Sequence, residues 1–281
     1  MARSKSRRNR IGIGEIVWLA VLIILAILII YPMFWIVMSS FKDYNGIFKD
    51  VWGLPKEWLF ENYKTAWDRG ISNYFVNSLI VSAGTIAGVV FLTTFAAFGI
   101  CQMKNRLASV CFLAIMGGLL LSPQVCLLPL YMLLKSMGIK DTYAALIVPY
   151  IAFRIPVSVM LIRSFFIGIP GDLEESALID GASLFQIYRK IYLPLSKPIV
   201  STVVIMTAYY AWNEFIFATM FIDSSERQTI PVGLMVFSDG LMTNWGVVMA
   251  GMVIACLPII VLFIVMQKSF IRGITAGSVK G

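Results

Sequence analysis

Among the polar and aromatic residues within the long apolar runs of this chain, six are candidates for ligand binding. Together they supply a guanidinium, a carboxylate, an amide and three aromatic rings. Ionisable groups inside membrane-length apolar runs are functional candidates by default. The alternative is that the same groups form hydrogen bonds between helices and hold a bundle together. The six candidates are Arg154, Tyr209, Tyr210, Trp212, Asn213 and Glu214.

Two of these candidates carry opposite charges. Arg154 falls near the middle of its apolar run and needs a partner there, because an unpaired charge in the hydrocarbon core is costly. Glu214 is one possible partner at similar depth. We therefore hypothesise an Arg154–Glu214 ion pair. A charge swap that failed to rescue the defects of the two single variants would count against it.

The composition excludes several other chemistries. The chain has no histidine, which excludes His-based catalysis and His-ligated metal sites. Its four cysteines lie in or beside apolar runs without paired metal-ligand spacing, and we interpret them as small packing residues. The sequence G-x-x-x-x-G-K-[ST], which cradles nucleotide phosphates, does not occur. We expect no catalytic residue, metal or cofactor on this chain.

A second polar segment, residues 172–196, lies between two membrane-length apolar runs. Asp172, followed three residues later by Glu175, predicts a helix start with a capping box. Gly181 permits a turn, and a second short amphipathic stretch follows and ends near Pro194. Two short helices with exposed glutamates and aliphatic side chains suit a groove on a soluble partner. The alternative is a helix that lies on the membrane surface.

The elements that must position these groups are membrane spans. The chain has 281 residues, 59% hydrophobic and 14% charged, and several apolar runs of about 20 residues, long enough to cross a bilayer. Prolines at 123 and 129, at 149 and 156, and at 258 are predicted to break the third, fourth and sixth spans. The six predicted spans are 14–38, 74–100, 107–133, 142–166, 198–221 and 246–270.

Basic residues predict the orientation of these spans. With a cytoplasmic N-terminus, 14 Lys and Arg fall on the inside and 8 on the outside, and this bias places both termini in the cytoplasm. Residues 1–13 form a basic tail, which we interpret as an orientation signal rather than a nucleic-acid-binding element. The first apolar run is too long for a cleaved signal peptide. The tryptophan-rich external loop at 41–73 suits lipid headgroups or, alternatively, an external partner.

The spacing in the polar segment resembles that of the EAA loop in permease subunits of ABC importers. Three residues separate Glu175-Ser176-Ala177 from Gly181, and nine more precede Ile191-Tyr192-Leu193-Pro194. The resemblance covers nearly the whole chain and is closest to the carbohydrate (maltose-type) family. Two departures are Ser176 in place of alanine and the charge at Arg154. The other similar residues are Pro32, Ser40-Phe41-Lys42, Glu61-Asn62-Tyr63, Asn77-Ser78-Leu79-Ile80, Pro123-Gln124, Pro129-Leu130-Tyr131, Trp212-Asn213-Glu214-Phe215 and Thr275 to Gly281.

The resemblance implies an all-α polytopic membrane protein with six transmembrane helices and a cytoplasmic coupling helix. Residues 14–270 would form the permease domain, with a coupling loop at 168–197 that enters a cleft of an ATPase subunit. The tail 271–281 would contact the ATPase subunits; disorder is its alternative. The implied coupling residues are Glu175, Ser176, Ala177, Asp180, Gly181, Ile191, Leu193 and Pro194, and the implied tail contacts are Thr275, Ala276, Gly277, Lys280 and Gly281.

The resemblance also implies an assembly in a bacterial plasma (inner) membrane. Its members would be a second permease subunit, two ATP-binding subunits that hold ATP and Mg, and an extracytoplasmic solute-binding protein. The six intramembrane candidates would then line a sugar path, because sugars offer apolar C–H faces and many hydroxyls. The cargo is expected to be an oligosaccharide. The rivals are an ion-coupled secondary carrier, which would need buried acidic pairs, and a membrane enzyme, which would need a catalytic cluster.

Overall fold

Helices are the regular elements throughout the part of the chain that the structure, a computed structural model, describes. That part is residues 13–103, 105–238 and 244–278. The predicted all-α class is therefore confirmed for these residues. The basic tail up to residue 12, and Lys280 and Gly281, lie outside them.

The first of two compact units comprises the described residues of Met1–Ala66 and Met242–Val253. The side chains of its first helix are exposed from Gly14 to Phe34, as expected for a helix that meets lipid or another subunit. Beyond this helix, the Asn62 amide donates to the backbone oxygens of Ser40 (2.8 Å) and Lys42 (3.1 Å). The elements of this unit are α1 (Ile13–Ser39), α2 (Tyr44–Lys49), α3 (Glu61–Ala66) and the beginning of α14 (Trp245–Ser278).

The second unit comprises Trp67–Leu241 and Ile254–Gly281, as far as these residues are described. Its core is the packing of the second predicted span against the fourth and fifth. Its helices before the polar segment are α4 (Ser72–Gln102), α5 (Arg106–Gly117), α6 (Leu127–Ser136) and α7 (Ala144–Ile167). Those that follow are α8 (Gly171–Ile179), α9 (Leu184–Ile187), α10 (Leu193–Leu195), α11 (Lys197–Asn213), α12 (Ile216–Phe221) and α13 (Ile230–Ser238), followed by the rest of α14.

Two glycines one turn apart allow α4 and α7 to approach closely. A Cβ atom at Gly84 would lie 2.8 Å from Cδ1 of Ile147, and one at Gly88 would lie closer still to Cδ1 of Ile151. Membrane helices lack a hydrophobic drive to associate and rely instead on such close packing. The small residues of α4 therefore fix the position of α7, which carries Arg154.

The predicted count of six spans is not confirmed. Four helices in the described residues are long and apolar enough to cross a membrane, and a bent pair, Leu184–Leu195 with Lys197–Asn213, raises the number to five. The third predicted span, 107–133, is divided into two short helices, α5 and α6. Pro123 lies in the irregular stretch between them, whereas Pro129 falls in the first turn of α6, where the missing N–H group costs little.

The expected breaks in the fourth and sixth spans are wrong. α7 continues through Pro149 and Pro156, and α14 continues through Pro258. Membrane helices tolerate proline because neighbouring groups satisfy the freed backbone carbonyls. α14 also extends beyond its predicted span, so the predicted tail 271–281 is helical as far as Ser278.

Candidate functional site

Five of the six intramembrane candidates line one cavity in the second unit. Its volume is about 520 Å³, and it opens between α7, α11 and the break that follows α11. Its polar lining combines one guanidinium, one carboxylate, one amide and two phenols, and three apolar residues complete it. The lining residues are Arg154, Met206, Tyr209, Tyr210, Asn213, Glu214, Phe215 and Ile216.

Arg154 contributes an incompletely satisfied cation to this cavity. Its guanidinium carbon lies 5.3 Å from the centroid of the Tyr210 ring, within cation–π range. Its Nε atom is buried and has no hydrogen-bond partner within the described ranges. The hypothesised Arg154–Glu214 ion pair is wrong for this chain, because the salt bridges among described residues do not include it.

Glu214 is committed to other partners, which is the physical reason that the ion pair does not form. Its Oε2 accepts the Tyr150 hydroxyl (2.5 Å) and the Ala218 N–H (3.1 Å). Its Oε1 accepts the Phe217 N–H (2.8 Å). The carboxylate thus satisfies the first N–H groups of α12, which an interrupted membrane helix would otherwise leave unpaired. Sequence analysis missed Tyr150, which gave no signal beyond a hydroxyl in an apolar run.

Trp212 does not line the cavity, which corrects its assignment to the path. Its side chain is buried, its indole N–H donates to the Ala255 oxygen (3.0 Å), and its ring meets Phe75 edge-on. Tyr209 and Asn213 are both exposed, and the Asn213 amide nitrogen donates to the Tyr209 backbone oxygen (2.8 Å). Trp212 therefore stabilises the bundle, whereas these two neighbours are accessible from the cavity.

The second candidate site is the polar segment, which does form two short helices. α8 begins at Gly171 with Pro170 at its N-cap, so the capping box predicted from Asp172 and Glu175 is wrong. A capping box occurs instead at α9, where Ser183 and Gln186 exchange hydrogen bonds. Pro170 lies outside the helix, with φ of −58° and ψ of 129°, and offers no side-chain cap, so α8 starts at the residue before Asp172.

A glycine turn joins the two short helices. Gly181 has φ of +77°, and a Cβ atom placed on it would meet no other atom within 4 Å, so the backbone and not crowding demands glycine. The Ala182 N–H bonds the Ala177 oxygen (2.9 Å) and the Gly181 N–H bonds the Leu178 oxygen (3.0 Å). This pair of bonds is a Schellman motif, the common way to end a helix on glycine. The turn expected at Gly181 is confirmed.

Two tyrosines anchor the segment to the second unit. The Tyr192 hydroxyl donates to Glu174 (2.6 Å) and its ring packs against Phe98 and Phe166. The Tyr188 hydroxyl shares a 2.8 Å hydrogen bond with Thr94. Both tyrosines are buried, one helical turn apart. They were not predicted as anchors, although aromatic residues four positions apart in a polar segment are a signal that could have identified them.

The outer surface of the segment is exposed. Glu175, Ser176, Asp180, Gly181 and Pro194 are exposed, whereas Ala177, Ile191 and Leu193 are half-buried and pack against the core beneath. Large apolar side chains stand beside the acidic ones. The exposed apolar residues are Leu173, Leu178, Ile179 (86% exposed), Leu184 and Phe185. An apolar patch with an acidic border is typical of a protein-docking surface.

The predicted tail residues lie apart from this segment along the chain. Thr275, Ala276 and Gly277 occupy the last turns of α14, and Lys280 and Gly281 fall outside the described residues. Their predicted contact with an ATPase subunit stays a prediction.

A charged clip holds the loop after α12 against the turn before α7. Asp141, with φ of +60°, accepts hydrogen bonds from Asp223 N and from Ser224 N and Oγ, and it pairs with Arg227 (3.2 Å). Lys140 pairs with Asp223 (2.6 Å). The Ser224 N–H bond is the main cause that lowers the pKa of Asp141, and the Asp223 bond raises the pKa of Lys140. Both groups therefore stay charged near neutral pH.

A second cavity, of about 530 Å³, lies within the first unit. Three lysine–acid pairs at seven-residue intervals line it: Lys42–Asp43, Lys49–Asp50 and Lys56–Glu57. Sequence analysis missed this repeat, although it is visible in the sequence. The equal numbers of both charges give this cavity no preference for an anion or a cation.

Comparisons with known proteins agree with this architecture. A family model described as "Binding-protein-dependent transport system inner membrane component" matches residues 90–276. The chain is 48% identical over 275 residues to the "Probable ABC transporter permease protein YurM" of Bacillus subtilis (strain 168), covering 98% of this chain and 91% of the relative. It is 32% identical to the "Trehalose/maltose transport system permease protein MalG" of Thermococcus litoralis, over 92% of this chain and 94% of that one.

A solved structure has the same fold. It is described as a "bacterial ABC transporter involved in the import of the acidic polysaccharide alginate", and the match has a TM-score of 0.81 over 96% of this chain and 100% of that one. The sequence identity is 23%, so this likeness concerns the fold alone.

Proposed function

Because this chain belongs to the family of binding-protein-dependent transport system inner membrane components, we propose that it is the permease subunit of an ABC importer for a carbohydrate. The chain is a multi-pass membrane protein and a transport component rather than an enzyme. Relatives at 30% identity or more include a trehalose/maltose permease and a melibiose/raffinose/stachyose permease. An oligosaccharide is accordingly the proposed cargo.

The anchored polar segment is the observation that carries this proposal. It combines an exposed acidic and apolar surface with two buried tyrosines that join it to α4. An exposed surface that binds a partner, joined firmly to the second unit by buried side chains, suits the transfer of motion between subunits. A membrane-surface helix, the alternative, would bury its apolar side chains in lipid and would not need the Glu174–Tyr192 tie.

The proposed assembly supplies ATP hydrolysis, the second half of the path and delivery of the cargo. Two ATP-binding subunits would hold ATP and Mg, with one of them docked on α8 and α9 through Glu175, Asp180 and Ile179. A second permease subunit would complete the path, and an extracytoplasmic binding protein would deliver the cargo. The excess of Lys and Arg on one side supports a cytoplasmic position for the docking segment and both termini, which is the orientation we propose.

The test is reconstitution of the complete complex in vesicles with its binding protein. ATP hydrolysis is measured with a panel of oligosaccharides, and co-purification of the ATPase subunit is measured in parallel. We expect a cargo-dependent rise in ATP hydrolysis, and loss of both co-purification and stimulation for Glu175→Lys, because the substitution reverses an exposed charge. Glu226→Lys, an exposed glutamate in the loop after α12, is the matched control and should leave co-purification unchanged.

Two results would contradict the proposal. One is a chain that never co-purifies with an ATPase subunit and transports sugar alone, as an ion-coupled carrier would. The other is normal transport by the Glu175→Lys complex.

A further inference from the structure

The cavity beside α7 and α11 contains two charged groups in unequal situations. Both oxygens of Glu214 accept hydrogen bonds, three in all, from Tyr150 and from the start of α12. Arg154 has an aromatic ring on one side and a buried Nε without an acceptor in the described residues. The negative charge is thus already stabilised, whereas the positive charge still lacks an anion.

This imbalance leaves Arg154 able to bind an anionic ligand. Arg154 is the eleventh of the 24 residues of α7, so its charge lies near the middle of a predicted span. A guanidinium at that depth is expensive unless it is paired or faces water. Its planar group of five donors matches the two oxygens of a carboxylate, which a neutral hydroxyl matches poorly.

We propose that this cavity selects carbohydrates that carry an anionic group, a carboxylate above all, and that Arg154 is the residue that binds it. This inference rests on the proposed function and names the class of its cargo. Tyr210 holds the guanidinium through its ring. Tyr209 and Asn213, both exposed, remain available for the sugar ring and hydroxyls of the same ligand.

The preference for acidic over neutral sugars would then follow from which hydrogen-bond partners Arg154 and Glu214 already have. An acidic sugar satisfies the free donors of Arg154, whereas a neutral sugar of the same size leaves them unpaired. Rejection of a ligand that leaves a buried polar group unpaired is stronger than rejection by shape alone. Glu214 does not repel the anion strongly, because Tyr150 and α12 neutralise much of its field.

The experiment uses the complete reconstituted complex and two matched probes, an oligosaccharide that ends in a uronic acid and the same oligosaccharide ending in the neutral hexose. The binding protein is supplied at saturation with each probe, so that delivery is equal. Uptake is measured for the wild type, Arg154→Gln and Arg154→Lys. We expect Arg154→Gln to lower uronate uptake about tenfold to hundredfold, the range for a hydrogen bond to a charged group, and to change neutral uptake less than twofold.

The matched control is Arg163→Gln. Arg163 is on the same helix, its Nε is also buried without a partner in the described residues, and its guanidinium lies 4.4 Å from the Phe112 ring centroid, but it is outside the cavity. Its loss should affect both probes equally. Arg154→Lys keeps the charge without the planar group and should retain an intermediate uptake of the uronate.

Each other outcome has a defined meaning. Equal loss of both probes in Arg154→Gln would overturn the inference and indicate a structural role for Arg154, and unchanged uptake of both probes would overturn it as well. Import of the neutral probe by a wild type that excludes the uronate would also overturn it, and would leave the proposed importer intact. Import of neither probe, with no carbohydrate that stimulates ATP hydrolysis, would instead reject the proposed function.

Discussion

Glu214 shows at the scale of a single residue how a ligand-like group can have a structural task. Its position beside aromatic rings suggested a sugar contact, but its carboxylate closes the start of α12 and accepts the Tyr150 hydroxyl. α12 begins directly after a break in a predicted span, where its first N–H groups have no partner within the helix. The carboxylate therefore supplies the hydrogen-bond acceptors that the break needs.

Replacement of Glu214 tests this assignment. Glu214→Ala leaves two backbone N–H groups and a phenol without their acceptor, and we expect a loss of about 1–3 kcal/mol in stability. The measurement is the thermal unfolding midpoint of the purified complex by fluorescence-monitored size exclusion. Glu226→Ala is the control, because Glu226 is exposed and, among the described residues, its backbone oxygen rather than its carboxylate accepts a hydrogen bond. An unchanged midpoint with abolished uptake would show that Glu214 is a ligand group instead.

Gly181 is a second residue whose type the backbone dictates. With φ of +77°, an alanine at this position would cost about 1–2 kcal/mol, the penalty of the left-handed conformation. We expect Gly181→Ala to weaken co-purification of the ATPase subunit and Gly181→Asn to weaken it less. Gly171→Ala, at an open position without positive φ in the first turn of α8, is the control. Equal binding by all four proteins would show that the turn does not determine docking.

At the scale of elements, the polar segment divides two tasks between adjacent glutamates. Glu174 is half-buried and bonds Tyr192, whereas Glu175 is exposed. One residue therefore holds α8 in place and the next remains free for a partner. The family pattern predicted Glu175 as a coupling residue but gave no signal for Glu174, because the partner of Glu174 is 18 residues away and is set by the tertiary turn.

Substitutions of the two glutamates should have different effects. Glu174→Gln removes the charge of the carboxylate that accepts the Tyr192 hydroxyl, so we expect faster amide hydrogen exchange at 171–179 in the uncomplexed permease, about fivefold for the loss of roughly 1 kcal/mol. Glu175→Gln is the matched substitution and should leave exchange in the uncomplexed permease unchanged while it weakens ATPase co-purification. Identical exchange for both variants would contradict the division of tasks.

The clip before α7 is a second element with a defined pH dependence. The folded-state pKa of Asp141 is lowered, so its contribution is present at neutral pH and is lost as the pH falls below about 4. The folded-state pKa of Lys140 is raised, so its contribution is present below about pH 10 and is lost as the pH rises further. Between these limits both charges persist and the clip stays closed.

The rate of amide hydrogen exchange in the loop 223–228 tests this conclusion. Between pH 5 and 9 we expect constant protection at 223–228 after correction for intrinsic rates. Asp141→Asn keeps a residue that tolerates positive φ but removes the charge, and should raise exchange about fivefold. Asp223→Asn, which removes the Lys140 pair and leaves Arg227 in place, should have a smaller effect. Protection that changes within this pH range would contradict the assignment.

At the scale of the whole molecule, hydropathy predicted much but not all of the structure, whereas the orientation from basic-residue counts stays a prediction. The helical class and the region of the cavity follow from apolar runs and the polar residues inside them, because both reflect transfer of side chains into lipid. The division of span 107–133, the burial of Trp212 and the separation of Arg154 from Glu214 do not follow. Each depends on which groups meet after packing, such as Trp212 and Ala255, 43 residues apart.

α1 has a consequence for how the protein is made. From Gly14 to Phe34 its side chains are exposed, in contrast to α7, where residues such as Tyr150 and Ile162 are fully buried. α1 leaves the ribosome before the other spans. Lipid can cover its exposed apolar side chains, so α1 does not need to pack against the later helices. We therefore expect the basic residues beside α1 to bias the orientation of the protein while α1 is inserted, before α7 and α11 have been synthesised.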